Sequence, residues 1–325
     1  MARFDPHNEG RSVRLGRLSV LDISVIVPTR NRPQKIVRCL RALAGQSYPR
    51  DRFEVIVVDD GSDAPLAQTI LPFRADLRLQ LIEQKNTGPA AARNTGAKHA
   101  AGTLLVFTDD DCEPTPGWLA ALQTHFQRHP DKAIGGETVN SLPENAYSSA
   151  SQLLVDYLYE YYAAATAVRA DGGPRGPRFF TSNNFAVPAA LFHEVNGFDH
   201  SFPLAAGEDR DFCNRWQERG YQLLRAPDAI VQHAHGLSLR TFWRQHMNYG
   251  RGAFHLRKAR ASRGGRAIGV EPFSFYGRLV TYPARASGRR GTPLLMALMF
   301  VSQVANALGF ALEAGARRSR NQARD

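Results

Sequence analysis

The sequence predicts an α/β protein with a mostly parallel central sheet and helices on both of its faces. Three observations carry this expectation: strand-like and helix-like stretches alternate through the first half, the strand-like runs are almost wholly apolar, and polar clusters gather where those runs end. Apolar runs without alternation suit a parallel sheet covered on both sides, because neither side of such a strand meets water.

Taken in order, ISVIVPT over 23–29 reads as the first strand, and residues 33–44 follow with a helical pattern. FEVIVVDD over 53–60 reads as the second strand and LRLQLIEQ over 77–84 as the third. A helix is expected over 89–100, a fourth strand, TLLVFTDDD, over 103–111, and a further helix over 116–129. The second half is less regular. Residues 151–168 read as a helix, 171–180 (DGGPRGPRFF) as a mobile loop, and GEDRDF as the start of another helix. The apolar run DAIV ends in His233 and His235, one residue apart on what reads as a strand end. The expected division is an N-terminal extension over 1–21, a principal domain over 22–240 and a basic helical extension over 241–325, with no internal repeat.

Composition excludes several classes. With 325 residues, 43% of them hydrophobic, the chain can bury a sizeable core in one large or two modest domains, so a disordered tail and a mini-protein are both ruled out. Cys39, Cys112 and Cys213 are scattered without metal-ligand spacing, which argues against a disulfide scaffold and a structural zinc site and predicts a reducing compartment. The first twenty residues carry charges throughout and no long apolar core, so a secretory signal is not expected and the catalytic part is expected in the cytoplasm.

Charge is uneven. Residues 1–239 hold 25 Lys+Arg and 27 Asp+Glu, whereas residues 240–325 hold 16 and 3. Such a basic region suits either nucleic acid or an anionic membrane surface. The apolar stretch PLLMALMFVSQVANALGFALEAG beside it favours the membrane over nucleic acid. Ser302, Gln303 and Asn306 share one helical face and arginines flank both ends, so an in-plane amphipathic helix is expected, with a single span or a core helix as alternatives. Association with the cytoplasmic face of the cell membrane follows as the expected location.

The acidic clusters suggest chemistry. Asp109, Asp110 and Asp111 are adjacent at the end of a buried run, where uncompensated carboxylates would repel one another. A hard divalent cation, Mn²⁺ or Mg²⁺, would relieve this and would also favour a diphosphate-bearing substrate; an Asp-rich turn capping the following helix is the alternative. Asp59 and Asp60 precede a Gly-Ser turn that suits a base or ribose, or simply an Asx turn. Glu208 and Asp209 open a helix at its positive end, where a carboxylate stays ionised and can serve as a general base. His233 or His235 would complete the coordination of a cation held by Asp111 if the two loops meet.

As an ordered set these segments resemble the family 2 glycosyltransferases, inverting enzymes on the nucleotide-diphospho-sugar-binding GT-A fold, over about Ile23 to Gly252. VIVPTRNRP is similar to the family's opening strand and base-pocket loop, which implies donor contacts for Pro28, Thr29, Arg30 and Arg32. VVDDGSD resembles the second strand with its nucleoside-binding aspartates, Asp59 and Asp60, and NTGPAAARNTG the segment whose Arg93 and Asn94 meet the nucleotide. FTDDDCEPTPGWL is similar to the D-x-D segment, which implies donor roles for Asp109 and Asp110 and metal ligation by Asp111 and Asp109, with His233 taken as the histidine that joins them. NGFD followed by GEDRDF matches the acceptor-side segment, with Asp209 the implied base and Asn183, Asn184 and Glu208 on the acceptor side.

Two departures shape the expectation. The Q-x-x-R-W signature of processive members is replaced by RTFWRQHMNYGRG, so processive synthesis is not expected, and Thr181-Ser182-Asn183-Asn184 stands where many relatives have a small Gly-Ala pair. The resemblance implies metal-dependent transfer of a sugar, most readily from a UDP-sugar, to a saccharide or lipid-linked acceptor, in cell-surface polysaccharide or glycolipid synthesis. Two other readings are a sugar-phosphate nucleotidyltransferase, which should carry a Gly-rich loop where PTRNRP has none, and a non-catalytic membrane-associated binding protein, against which the intact acidic segments argue.

Overall fold

The computed structural model describes residues 21–166, 177–202, 206–264, 271–286 and 292–322. The N-terminal extension, but for its last residue, and the first six residues of the expected 171–180 loop lie outside the described residues. The strands are β1 (Ile23–Thr29), β2 (Phe53–Asp59), β3 (Leu79–Glu83), β4 (Leu104–Thr108), β5 (Cys112–Pro114), β6 (Ala133–Asn140), β7 (Asn184–Pro188) and β8 (Leu223–His233). The α-helices are α1 (Pro33–Ala44), α2 (Ala67–Ile70), α3 (Pro89–His99), α4 (Trp118–Arg128), α5 (Ala146–Thr166), α6 (Ala189–Glu194), α7 (Glu208–Glu218), α8 (Leu239–Ser262), α9 (Phe273–Ala286) and α10 (Thr292–Gln322).

The strands form one sheet in the order β3-β2-β1-β4-β7-β6-β8-β5. Its first half is parallel, with Ile23 of β1 opposite both Phe53 of β2 and Leu104 of β4. The reversed strand β7 joins this half to β6, and β8 runs parallel to β6, so the sheet is mixed with its parallel pairs in the majority. β1, β2 and β4 are buried throughout, as their apolar runs require. Alternate side chains of β1 enter opposite cores. Val25 and Val27 pack with Ile36 and Leu40 of α1 and Trp118 of α4, while Ile26 packs with Phe107 and with Phe212 and Trp216 of α7. Each such burial stabilises the fold by roughly 1.5–3 kcal/mol.

The expected elements of the first half are all present, and the fourth strand stops at Thr108 because Asp109–Asp111 turn into β5. Several elements were not legible. β6 reads AIGGETVN, with no apolar period; its Gly136 lies where a Cβ would come within 2.2 Å of the Ala229 carbonyl oxygen, so backbone packing dictates its composition. β7 is short, and α8 and α9 are amphipathic segments hidden within the basic region.

The basic region folds onto the domain. α10 lies directly on α8, and a Cβ at Gly309 would meet the Met247 carbonyl oxygen at 2.0 Å, so the two backbones touch. The expected orientation of this helix is reversed. Ser302 is 1% exposed, and Gln303 and Asn306 line the central cleft, while Phe300, Val304, Leu308 and Leu312 face outward at 36–60% exposure. The polar stripe is the inner side of the helix, and within α10 the Ser302 hydroxyl donates to the Met299 carbonyl and receives a bond from Gln303. All three cysteines are buried as free thiols.

Candidate active site

Ligands of open α/β sheets bind beyond the carboxyl ends of the strands. Here the loops after β1 and β4, the start of α3, the start of α7 and the end of β8 converge on one cleft of about 1450 Å³. That exceeds the space a single small ligand needs and leaves room for two substrates. Pro28, Thr29, Arg30, Arg32, Asp60, Arg93, Asp109, Asp110, Asp111, Asn183, Glu208, Asp209 and His233 all line it, so most of the residues selected from sequence meet in space.

The register of the far sheet edge assembles the first group. Because Cys112 of β5 pairs with His233 of β8, Asp111 arrives beside the histidines. One ligand atom from each of Asp111, His233 and His235 lies within 4.8 Å of the other two. His233 Nε2 is 3.2 Å from Asp111 Oδ1, and His235 Nδ1 is 3.3 Å from Asp111 Oδ2. Both histidines therefore gather at the aspartate. The Gln245 side chain of α8 donates to Ser151 Oγ and Tyr249 OH, which turns its Oε1 towards His235 Nε2 at 2.7 Å. His235 then donates from Nε2, and its Nδ1 presents a lone pair to a carboxylate unless a proton or a cation lies between them. One carboxylate oxygen and two imidazole nitrogens, one ring oriented by an outer amide, fit a divalent ion such as Mn²⁺. Lys35 Nζ, 2.9 Å from Asp111 Oδ2, and Arg32, 3.6 Å away, add positive charge at the same carboxylate.

Asp109, expected among the metal ligands, is not in this group. Its Oδ1 accepts from Arg93 Nη2 at 2.7 Å, while Arg93 Nη1 reaches Glu208 Oε1 at 3.3 Å. Arg93 is thus a buried crosspiece between the acidic turn after β4 and the first turn of α7. Its Nε and Glu208 Oε2 are buried without a hydrogen-bond partner. Asp110 is held by the Thr29 hydroxyl at 2.7 Å and by Arg32 at 3.1 Å.

Three selected residues have structural work instead. Asp59 accepts from the Ser62 N–H and hydroxyl in an Asx turn and does not line the cleft. Asn94 is bonded through both ends of its amide to the Phe198 backbone, which docks the NGFD segment on α3. Asn184, 2% exposed, accepts from the Trp118 indole and donates to the carbonyls of Glu137 and Ala229. Asp60 lines the cleft, yet it also accepts from the Thr87 and Gly88 N–H groups and so shapes the entry to α3. His235, the alternative to His233 in the sequence, stands beside it, and Lys35 and Gln245 complete the site without having been selected; only a helical spacing from the PTRNRP loop, for Lys35, would have signalled either.

The electrostatics divide the carboxylates. Burial works against the charge of Asp111, but hydrogen bonds with His233 and His235 and the Lys35 ammonium outweigh it and hold the carboxyl well below the usual range. Burial pushes Asp110 up to about 6 against the pull of Arg32. At the head of α7, burial and then the like charge of Asp209 push Glu208 up to about 7, opposed by Arg93. Asp209 is also raised by burial, opposed by Arg210 and by the bond its Oδ1 accepts from the Arg210 N–H at 2.7 Å. The helix N-terminus therefore does not act alone on Asp209: burial pulls its carboxyl upward against the helix-end effect.

An open sheet with an acidic rim, a D-x-D turn and a paired-carboxylate helix start defines the GT-A class of nucleotide-diphospho-sugar-binding folds. The chain belongs to glycosyl transferase family 2, whose model matches residues 24–187, just over half of its length. A model described as the N-terminal domain of galactosyltransferase matches residues 171–236. Among curated proteins, the chain is 29% identical over 213 residues to the glycosyltransferase AglE of Haloferax volcanii, covering 65% of this chain and 66% of that one. It is 30% identical over 240 residues to a pre-mycofactocin glycosyltransferase of Mycobacterium tuberculosis, covering 72% and 47%. These matches therefore span about half to two thirds of the relatives' lengths. The solved mannosyltransferase PcManGT of Pyrobaculum calidifontis, in complex with GDP-Man and Mn²⁺, shares the fold at a TM-score of 0.57 and 23% identity, over 93% of this chain and 79% of that one.

Proposed function

We propose that the chain is an inverting, metal-dependent glycosyltransferase that moves a sugar from a nucleotide-diphospho-sugar to an acceptor hydroxyl. The observation that carries this reading is the meeting, in one cleft, of the Asp111–His233–His235 group with the Glu208–Asp209 pair, with Arg93 bonding Glu208 to Asp109 in the turn that also bears Asp111. Asp111, His233 and His235 would hold the divalent cation, which supplies Lewis-acid stabilisation of a departing diphosphate. Arg32 and Lys35 add fixed positive charge on the same side, and Arg93 holds Asp109 against the donor. Asp209 lies across the cleft as the base that takes the proton of the acceptor hydroxyl while the oxygen attacks the anomeric carbon from the face opposite the leaving group. No covalent enzyme intermediate is needed. Asp209→Asn should leave nucleotide binding intact and lower turnover by about 10²–10⁴. Near-normal turnover, or pyrophosphate-dependent conversion of UDP- or GDP-sugars to nucleoside triphosphate and sugar 1-phosphate in place of nucleoside diphosphate release, would overturn the assignment.

The location proposed is the cytoplasmic face of the cell membrane. Its support is the outward apolar row of α10 within a region holding 16 Lys+Arg against 3 Asp+Glu, a combination suited to anionic lipid headgroups.

A further inference from the structure

The cleft continues past Asp209, and α8 measures its length. Gln245, Tyr249, Ala253, Arg257 and Arg260 recur at helical spacing and all line it, so one face of α8 runs along the wall. Gln245 holds His235 at the Asp111 end. Tyr249 lies at the acid pair: burial, and after it the charge of Asp209, push its phenol up to about 12. At Gly252 the helix touches the segment entering α7, since a Cβ there would meet the Ala206 carbonyl oxygen at 2.3 Å. At a rise of about 1.5 Å per residue, Arg257 and Arg260 stand roughly 7 and 12 Å beyond that contact, away from Gln245.

Positive charge gathers in this arm. Arg178 and Arg210 line the cleft as well, the first with its guanidinium over the Tyr162 ring at 4.9 Å and the second over the Phe179 ring at 4.3 Å. A guanidinium stacked on a ring keeps its in-plane N–H groups free for a bidentate oxyanion. The carboxylates nearby are engaged elsewhere: Glu218 with Arg263 at 3.3 Å and with Asn214, and Glu271 with the hydroxyls of Tyr161 and Tyr162. On α8, Arg251 pairs with Glu313 and Arg263 with Asp211, whereas Arg257 and Arg260 between them meet no carboxylate among the described residues. The Arg260 Nε is buried without a hydrogen-bond partner, so part of this guanidinium has neither water nor a protein acceptor. Arginines that only kept a surface soluble would face outward, but Arg210 and Arg260 are half-buried in the cleft wall. We propose that the acceptor is an acidic saccharide, whose carboxylate or phosphate sits among Arg178, Arg210, Arg257 and Arg260 while its reacting hydroxyl lies at Asp209. Gln303 and Asn306 line the same cleft with amides that suit its remaining hydroxyls. The proposal rests on the transferase reading for the place of the reacting hydroxyl.

Calorimetric titration of the full chain with lactose, lactobionate and lactose 1-phosphate tests the subsite without requiring turnover. The three share a terminal galactose and carry at the other end no charge, a carboxylate or a phosphate. At least one of the charged compounds should bind about tenfold or more tightly than lactose, and the one that does identifies the oxyanion taken. That preference should shrink on going from about 50 mM to about 500 mM sodium chloride. Arg257→Gln combined with Arg260→Gln should lower it at least about fivefold, and Arg257→Glu, a change at an exposed position, should lower it further with an unchanged melting temperature. Arg32→Gln, at the donor end, should leave the preference as it is. Equal affinity for all three compounds, no detectable binding of either charged one, or a preference that Arg32→Gln removes and the α8 variants do not, overturns the proposal. The two readings fail separately. Metal-dependent donor hydrolysis without a preference for charged disaccharides removes only the subsite, whereas that preference without hydrolysis of any nucleotide-sugar removes the transferase assignment.

Discussion

Gln245 touches neither Asp111 nor the acidic pair, yet it decides which nitrogen of His235 faces the aspartate. An outer partner of this kind orients a metal-binding imidazole, and its loss typically weakens metal affinity by about 10–100-fold. Gln245→Ala should therefore weaken Mn²⁺ binding, measured by calorimetry on the nucleotide-free protein, while Gln245→Glu, which keeps an acceptor at that point, should retain most of it; equal losses in both would assign Gln245 to packing alone. A second expectation concerns protons. A base must be unprotonated to act, and burial raises the carboxyl of Asp209 as it does that of Glu208, so kcat/KM for transfer should fall as pH drops through a range above the ordinary carboxylate values near 4. Glu208→Gln removes the like charge beside Asp209 and should move that acid limb to lower pH. An unmoved limb would place the titrating group elsewhere.

At the scale of elements, α10 presents the sharpest contrast between pattern and outcome. A helical wheel of residues 292–316 separates Ser302, Gln303 and Asn306 from an apolar row, and that separation is real; which side meets solvent was not legible. Periodicity ranks faces by polarity, whereas the fold ranks them by how closely they can pack, and here the side of α10 bearing Asn306 and Gly309 lets its backbone approach that of α8. The outward row should then contact lipid. Phe300→Gln combined with Leu308→Gln should abolish co-sedimentation with anionic vesicles without changing donor hydrolysis in solution, and undiminished binding would transfer that role to the arginines alone. β1 and α1 stand at the other extreme. Their bounds were legible to the residue, because a mostly apolar strand running into a turn and a proline-led amphipathic helix each admit one arrangement.

For the whole molecule, the acidic segments were legible as chemistry, since carboxylates in series are costly unless something positive meets them. Their division of labour was not. Asp59, Asn94 and Asn184 look from sequence like ligand contacts, and only the three-dimensional packing gives their polar atoms to Ser62, Phe198 and Trp118. Gln245 was equally hidden, because its partner is ten residues away across a helix cap. The cleft draws one lip from the loop after β1 and the opposite wall from α10, nearly the full length of the described chain apart. A polypeptide leaving the ribosome therefore completes the loops after β1 and β4 long before α10 emerges to line the same cleft.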